Sequence, residues 1–429
     1  MSPAASARSV ALEAIGRVID DGAYSNRLLP SLLARSGLET RDRAFAMELT
    51  FGTLRRRLSL DAAIAAAADR PIERITTTAR HAIRLGAYQL LEAGVAPHAA
   101  VSATVDLVAV RERGFVNAVL RRLAAHPPAP PAGTGTDDIA MRTGLAPWAV
   151  EELYALVGQE AEAAAAALAT KADLSLRVVG GRSSVPDAVA AFVQAGLDPV
   201  VGSVDDACIV LHGGEPRHLP GFEQGRWTVQ DQASAFVVRA LDPQPGEHIY
   251  DACAAPGGKA LHATELVGPA GRVLAADRSI TRVGLITASA TRLGLHPWLL
   301  AHDAATSAVR GPFDRVLVDA PCSGVGSARR RPELLWRVKK ERLSGLAALQ
   351  LAILGAAADA VRPGGRLVYA VCTFTRVETD AVVDALVRRR PDLEPIETDG
   401  PDGRATRHRL WPHRHGCDAM FVAAFRRSA

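Results

Sequence analysis

The sequence predicts a multidomain chain. It has an all-α N-terminal bundle, a small α+β middle module and a C-terminal α/β domain on a doubly wound parallel sheet. Three observations carry this reading. Residues 1–125 place apolar side chains at helical spacing, with no strand-like alternation. The stretch HPPAPPAGTGT, His126 to Thr136, is rich in Pro and Gly and reads as a linker. From about residue 223, short apolar runs alternate with helical stretches, the signature of β-α units. At 429 residues the chain is too long for one ordinary core.

The helical part rests on four segments, SVALEAIGRVI, RDRAFAMELTFGTLRRRLSLDAAIAAAA, TARHAIRLGAYQLLEAG and FVNAVLRRLAA. They predict a bundle over 1–125, followed by a linker over 126–136. Residues 137–222 open with an Ala-rich helix. They continue with LSLRVV as a strand, VPDAVAAFVQAGL as a helix and ACIVLHG as a strand, so an α+β module is expected. In 223–429 the strands are HIYDACA, GRVLAAD, WLLAHDA, FDRVLVDA, RLVYAVC and AMFVAAF, with helices between. Ligands of such sheets sit beyond the C-terminal strand ends, where the strand order reverses.

Composition narrows the class. Hydrophobic residues make up 48% and charged residues 22%, as in soluble globular proteins. No signal-peptide core or charge-free membrane span is read, and a cytoplasmic monomer is expected. Five cysteines in so long a chain predict free thiols in a reducing compartment. Residues 1–125 carry 17 Arg against 12 Asp and Glu, a balance of +5, which points to a polyanion such as RNA. A solvated charged face is the plainer account. Of the 50 basic residues only Lys171, Lys259, Lys339 and Lys340 are lysines. Lys259 therefore marks a place where a compact ammonium is wanted.

The segment DACAAPGGKA, Asp251 to Ala260, joins the first sheet strand to its helix. It fails as a phosphate-binding P-loop, because Cys253 replaces the first Gly and Ala260 the hydroxyl. It also lacks the Gly-x-Gly-x-x-Gly of dinucleotide sites. What remains is a glycine turn followed by acids at successive strand ends. Asp277 is placed for ribose hydroxyls and Asp303 for an adenine amino group. Each alone would be read as a turn residue. Together, ribose and adenine without pyrophosphate fit S-adenosylmethionine.

Two further strands end in thiols, VLVDAPCSG with Cys322 and LVYAVC with Cys372. Neighbouring strands lie about 4.8 Å apart, so both thiols should open into one pocket with Asp319. Methylation of an amine or hydroxyl needs no thiol. Carbon 5 of a pyrimidine does, because a thiolate on carbon 6 makes it nucleophilic. A carboxyl near N3 can stabilise the developing charge if it shares or donates a proton, and a base must remove the carbon-5 proton. Asp319, Cys322, Cys372 and Lys259 can supply these roles, and Lys259 can also depress a thiol pKa. A redox pair is disfavoured by the lack of Cys-x-x-Cys. Cys208 reads as core packing, and so do Cys253 and Cys417.

DACAAPGGKA, VLVDAPCSGVGSARRRPELLWR and LVYAVCTF resemble the RNA cytosine-5 methyltransferases of the Nop2/Sun (NSUN) group. Nearly the whole chain is similar to the bacterial Sun/Fmu (RsmB) branch. There a NusB-like helical domain, matched by IRLGAYQLL, PHAAV and FVNAVLRRL, precedes a Rossmann-like class I methyltransferase domain. The resemblance implies methylation of 16S ribosomal RNA, usually at cytosine 967. It implies Cys372 as nucleophile and Cys322 as the thiol that helps release product. Asp319 would hold the base edge, and Lys259 would share the catalytic site. S-adenosylmethionine would be held by Cys253, Ala254, Ala255, Pro256, Gly257, Gly258 and Lys259, with Asp277, Asp303 and Asp319. Three departures stand out. Thr373 follows the nucleophile where Ser is usual, only Glu378 survives of a Pro-Glu-Glu-Asn stretch, and Ala260 replaces Thr.

RNA contacts are expected where cations flank an aromatic. Arg329, Arg330, Arg331 and Arg337 surround Trp336, and Arg409 lies near Trp411. Packing under a loop is the competing account of both tryptophans. The histidines at 408, 413 and 415 match no metal-ligand spacing, so no metal is expected. Two other functions compete: the same chemistry on transfer RNA or another ribosomal site, and a non-catalytic RNA-assembly factor.

Overall fold

The computed structural model describes residues 6–306 and 309–428. The chain forms two units. One runs through Thr170 and also takes in Ala328–Val338; the other holds Lys171–Ser327 and the chain from Lys339 onward.

The first unit is helical. Ala7–Ile19, Thr40–Arg55, Thr77–Leu91 and Val110–Ala125 share its core, with Ile15, Leu49, Ile83, Leu85 and Leu120 essentially inaccessible. Each such side chain contributes about 1.5–3 kcal/mol by burial. The helix Thr77–Leu91 is buried almost all round, so its neighbours must approach closely. Gly52 and Gly86 make room. A Cβ on Gly52 would lie 2.0 Å from the Tyr88 ring, and one on Gly86 2.7 Å from Leu120. The IRLGAYQLL and FVNAVLRRL segments are therefore two halves of one helix–helix contact.

The expected 137–222 module divides. Helices Thr136–Thr143, Pro147–Val157 and Ala161–Leu168 belong to the helical unit, and the strands belong to the second. Both predicted strands exist, as Leu174–Val178 and Cys208–Leu211. They pair antiparallel in a four-stranded sheet that Val200–Val201 and Trp227–Val229 complete. Cys208 is fully buried there, as read from the sequence. Arg177 in this sheet is buried and pairs with Glu265 at 2.8 Å, on the helix Gly258–Val267.

The segment Ala328–Val338 corrects the RNA-contact expectation. Glu333 is fully buried and accepts hydrogen bonds from the Ser25 amide (3.0 Å) and hydroxyl (2.6 Å). Trp336 donates its indole N–H to the Leu54 carbonyl at 2.9 Å, and the Arg57 guanidinium lies 4.1 Å from its ring centre. Arg337 donates to the carbonyls of Val18, Gly22 and Ala23, groups that the C-terminus of Ala7–Ile19 leaves without helical partners. Arg329 is buried, Arg330 and Arg331 are half-buried, and all three have partners. Cations around an aromatic here bind helix ends and carbonyls.

In the second unit the strand order is Leu393–Pro395, Met420–Arg427, Val361–Val371, Phe313–Asp319, His248–Asp251, Arg272–Asp277, Trp298–Ala301. The last five run parallel. Met420–Arg427 is antiparallel to its neighbours, so the sheet is mixed where a purely parallel one was expected. The short connection from Arg407–Leu410 suits its antiparallel pairing with Met420–Arg427, whereas parallel strands need a crossover. The order reverses between His248–Asp251 and Phe313–Asp319, which places a ligand crevice at their C-terminal ends. Among the described residues one helical stretch, Lys340–Ala360, is long and apolar enough to cross a membrane. Its Ile353, Leu354, Ala357 and Ala358 are buried in the core beside the sheet, which accounts for the hydropathy.

Replacing Glu333 by Ala leaves two buried donors on Ser25 unmet. It should cost the helical unit about 1.5–3 kcal/mol, seen as a lower urea midpoint in helical circular dichroism. An unchanged midpoint would mean that water replaces the carboxylate.

Candidate active site

The first strand ends on Asp251, which is completely buried. Its Oδ1 accepts from the Cys253 amide at 3.3 Å, while Oδ2 is buried and unpaired. Burial, and then the charge of Asp319, push its pKa up to about 7. The following turn is held by the Ala254 amide on the Ala276 carbonyl (2.7 Å) and the Gly257 amide on Ala254 (2.8 Å). Gly257 has φ +112° and sits against Ile286, 3.1 Å from where a Cβ would be. That position admits only glycine. Gly258 opens the helix Gly258–Val267, and a Cβ there would meet nothing within 4 Å. The helix N-terminus thus faces open space. The glycine turn and the buried, unpaired oxygen of Asp251 thus lie side by side at this strand end.

Asp277 and Asp303 close the next two strands. Asp277 accepts from the Ser279 amide at 3.0 Å and pairs with Arg282 at 3.0 Å. Arg282 also donates to the Ala255 carbonyl at 2.6 Å, tying the acid to the glycine turn. Nothing in the sequence marked Arg282, although its spacing of five from Asp277, on the next helix, could have. Asp303 accepts from the Ala305 amide at 3.0 Å. Its turn geometry leaves the second oxygen outside that bond.

Lys259 donates to Asp319 at 2.7 Å and to the Ser234 hydroxyl at 3.3 Å. Burial alone would lower its pKa, but Asp319 more than offsets this, and Cys372 adds to the upward pull. The ammonium stays charged. Cys322 and Cys372 follow the two neighbouring parallel strands, with their sulfurs 3.5 Å apart. The hydrogen bond to Cys372, and then burial, push the Cys322 thiol well up, so it keeps its proton. Cys253 is also pushed up, by burial and then by Asp251, and is an inert neighbour. Asp319, Cys322 and Cys372 therefore lie at the C-terminal ends of adjacent parallel strands, and Lys259 reaches Asp319 from the first turn of the helix Gly258–Val267.

A family model described as 16S rRNA methyltransferase RsmB/F matches residues 238–426, and one described as NusB family matches 5–125. The Escherichia coli O1:K1 protein named ribosomal RNA small subunit methyltransferase B is 33% identical over 404 residues. The match covers 92% of this chain and 93% of that one. The chain belongs to the RsmB/F family of 16S rRNA methyltransferases, and it depends on S-adenosylmethionine. A Mycobacterium tuberculosis relative, named provisionally as a methyltransferase with no substrate given, is 39% identical over 446 residues. That match spans 98% of this chain and 96% of the relative. The crystal structure of PH0851 shares the fold, with TM-score 0.83 at 22% identity over 98% of both chains.

In this RsmB/F chain the second predicted RNA cluster is also structural. Trp411 is 2% exposed and lies against Phe374, ring centres 5.9 Å apart. Arg409 pairs with Asp380, donates to Thr379 (2.9 Å) and to the Phe374 carbonyl (3.2 Å), and covers the Phe421 ring. Base stacking by Trp411 is replaced by packing beneath the turn that follows Cys372. Sequence reasoning also passes over Glu378 as a site residue. It is fully buried beside the thiol-bearing loops. Its survival from an otherwise altered stretch was the available signal.

Asp251 is protonated in the fold well above the usual carboxylate range of about 3.9. Its contribution to stability is fully present below that value and lost as pH rises through about 7. The difference in melting temperature between wild type and Asp251→Asn, without cofactor, should grow from pH 5 to pH 8 in favour of the variant. A flat difference would show that Oδ2 is solvated.

Proposed function

We propose that this enzyme methylates carbon 5 of a cytosine in 16S ribosomal RNA, with Cys372 adding to carbon 6. The observation that carries the reading is the pair of thiols 3.5 Å apart, next to the Lys259–Asp319 ion pair. No nitrogen or oxygen methylation requires that arrangement. S-adenosylmethionine, when bound, supplies the electrophilic methyl group. The glycine turn from Cys253 to Gly258, with Asp277 and Asp303, would hold it, and Asp251 would face its cationic end.

The chain's own residues then act in sequence. Cys372 attacks carbon 6 as a thiolate. The Cys322 thiol, which retains its proton, donates to the Cys372 sulfur, and the nearby Lys259 ammonium favours its negative charge. Asp319 accepts from the exocyclic amino group on the base edge, and the Lys259 ammonium it holds offsets the negative charge that develops on the ring. After methylation, a solvent water takes the carbon-5 proton, the electron pair left behind restores the carbon 5–carbon 6 double bond, and the carbon 6–sulfur bond breaks to return Cys372 as a thiolate. Cys322 stabilises that leaving sulfur through the same hydrogen bond. Attack on carbon 6 from one ring face requires the base to be unstacked. The helical unit supplies phosphate contacts through exposed arginines such as Arg70, Arg111, Arg113 and Arg121. Cytosine 967 is the proposed target.

Methyl transfer from labelled S-adenosylmethionine to unmodified 16S RNA tests this. Label should appear on cytosine carbon 5, and Cys372→Ala should lower transfer at least about 10³-fold. Cys322→Ala should accumulate a protein–RNA adduct that survives denaturing electrophoresis. Label on a nitrogen or ribose oxygen would overturn the chemistry. Transfer to transfer RNA alone would overturn the target, and failure to bind cofactor would favour an assembly factor.

A further inference from the structure

Glu378 reaches both cysteine loops from a position that the reaction does not touch. Its Oε1 accepts from the Ser323 amide (2.8 Å) and from Gln350 Nε2 (3.0 Å). Its Oε2 accepts from the hydroxyls of Ser323 (2.5 Å), Thr375 (2.9 Å) and Thr373 (3.3 Å). Ser323 is the neighbour of Cys322, and Thr373 the neighbour of Cys372. One fully buried carboxylate therefore grips the residue next to each thiol. The grip is anchored behind. Gln350, on Leu343–Ala360, also donates to the Pro321 carbonyl at 3.0 Å, and the Tyr369 hydroxyl donates to the Glu378 carbonyl at 2.6 Å. The strand pairing of Phe313–Asp319 with Val361–Val371 runs out at Asp319 and Ala370, before either cysteine. The amide of Gly326 on the Cys372 carbonyl, 3.1 Å, is a further tie between the two loops.

We propose that Glu378 is a positioning residue that sets the distance and direction between Cys322 and Cys372. This rests on the thiol-pair reading of the reaction, which it deepens. A carboxylate suits this role because its two oxygens offer about four acceptor sites, and five donors converge on them. A charged acceptor in a low-dielectric interior holds each donor about twice as firmly as a neutral one. Gln cannot substitute, because its NH₂ group would face donors on one side. The role also explains why Thr373 can stand after the nucleophile. Its hydroxyl serves as a donor to Glu378 just as a serine hydroxyl would.

Two readouts test the proposal. The first is methyl transfer by Glu378→Gln and Ser323→Ala. Glu378→Gln should lower kcat about 10²-fold, as for an ångström-scale misplacement of reacting groups, with KM for S-adenosylmethionine unchanged. Ser323→Ala, which leaves the carboxylate in place, should lose less, and the double variant should be no worse than Glu378→Gln alone. The second readout needs no RNA. Diamide removes two electrons and two protons from a thiol pair, and the Cys322–Cys372 disulfide is quantified by peptide mapping. Wild type should form it rapidly and Glu378→Gln at least about tenfold more slowly, while cofactor binding stays intact. Unchanged disulfide formation in Glu378→Gln, or additive loss in the double variant, would overturn the proposal. If Cys372→Ala retains methyl transfer, the thiol mechanism fails instead, and the slowed disulfide in Glu378→Gln still stands as the measure of positioning. Should Glu378→Gln lose cofactor binding and helical content together, Ser323→Ala alone decides: wild-type disulfide and transfer rates in it would overturn the proposal.

Discussion

The parallel ladder between Phe313–Asp319 and Val361–Val371 is the constraint on which the site depends. It pairs Val318 with Tyr369 and Asp319 with Ala370, and the Ala320 amide continues it onto the Ala370 carbonyl. The two chains therefore leave the sheet level with one another, and the cysteines meet. The register is fixed because both faces are buried. Leu317, Val368 and Ala370 point into one core, and Val316, Val318, Leu367, Tyr369 and Val371 into the other. A one-residue slip would exchange the two sets and separate the thiols. Hydrophobic packing several residues away thus brings the two cysteine loops level with one another.

Around that frame the site holds two arrangements that do not favour stability. Asp251 buries an oxygen with no partner, and Lys259 is withdrawn from solvent with Asp319 and Ser234 to meet it. A buried ion pair seldom adds net stability, since desolvation cancels most of its attraction. Here it orients a carboxylate at the mouth of the crevice. The unpaired oxygen of Asp251 and the open space at Gly258 lie at the same end of the sheet as this ion pair.

Much of this was legible in the sequence. The strand–helix alternation, the glycine turn and the positions of Asp277, Asp303, Asp319, Cys322 and Cys372 follow from period and punctuation, which act locally. The direction of Met420–Arg427 was not legible, because apolar alternation reads the same in either sense. Nor was the assignment of 137–170 to the helical unit, since a Pro/Gly stretch signals a break in the chain without saying what lies against what. Glu378 was hidden for a related reason. Its carboxylate is stabilised by donors at 323, 350, 373 and 375, and no local pattern unites them.

The basic clusters show where sequence reading has a blind side. Arginine beside tryptophan looks alike whether the guanidinium meets a phosphate or a carbonyl, because both are oxygen acceptors for the same fork. Arg337 directs its donors at Val18, Gly22 and Ala23, and Arg409 directs its own at Phe374, Thr379 and Asp380. Both acceptor sets sit at the ends of helices or in tight turns, where backbone carbonyls lack internal partners. A planar five-donor cation is well matched to several such oxygens at once, and an ammonium is not. The chain's near-exclusive use of arginine is therefore consistent with internal bracing as much as with RNA. Lys259 stands apart because its role is the opposite one. A single compact charge is directed at one carboxylate oxygen, that of Asp319.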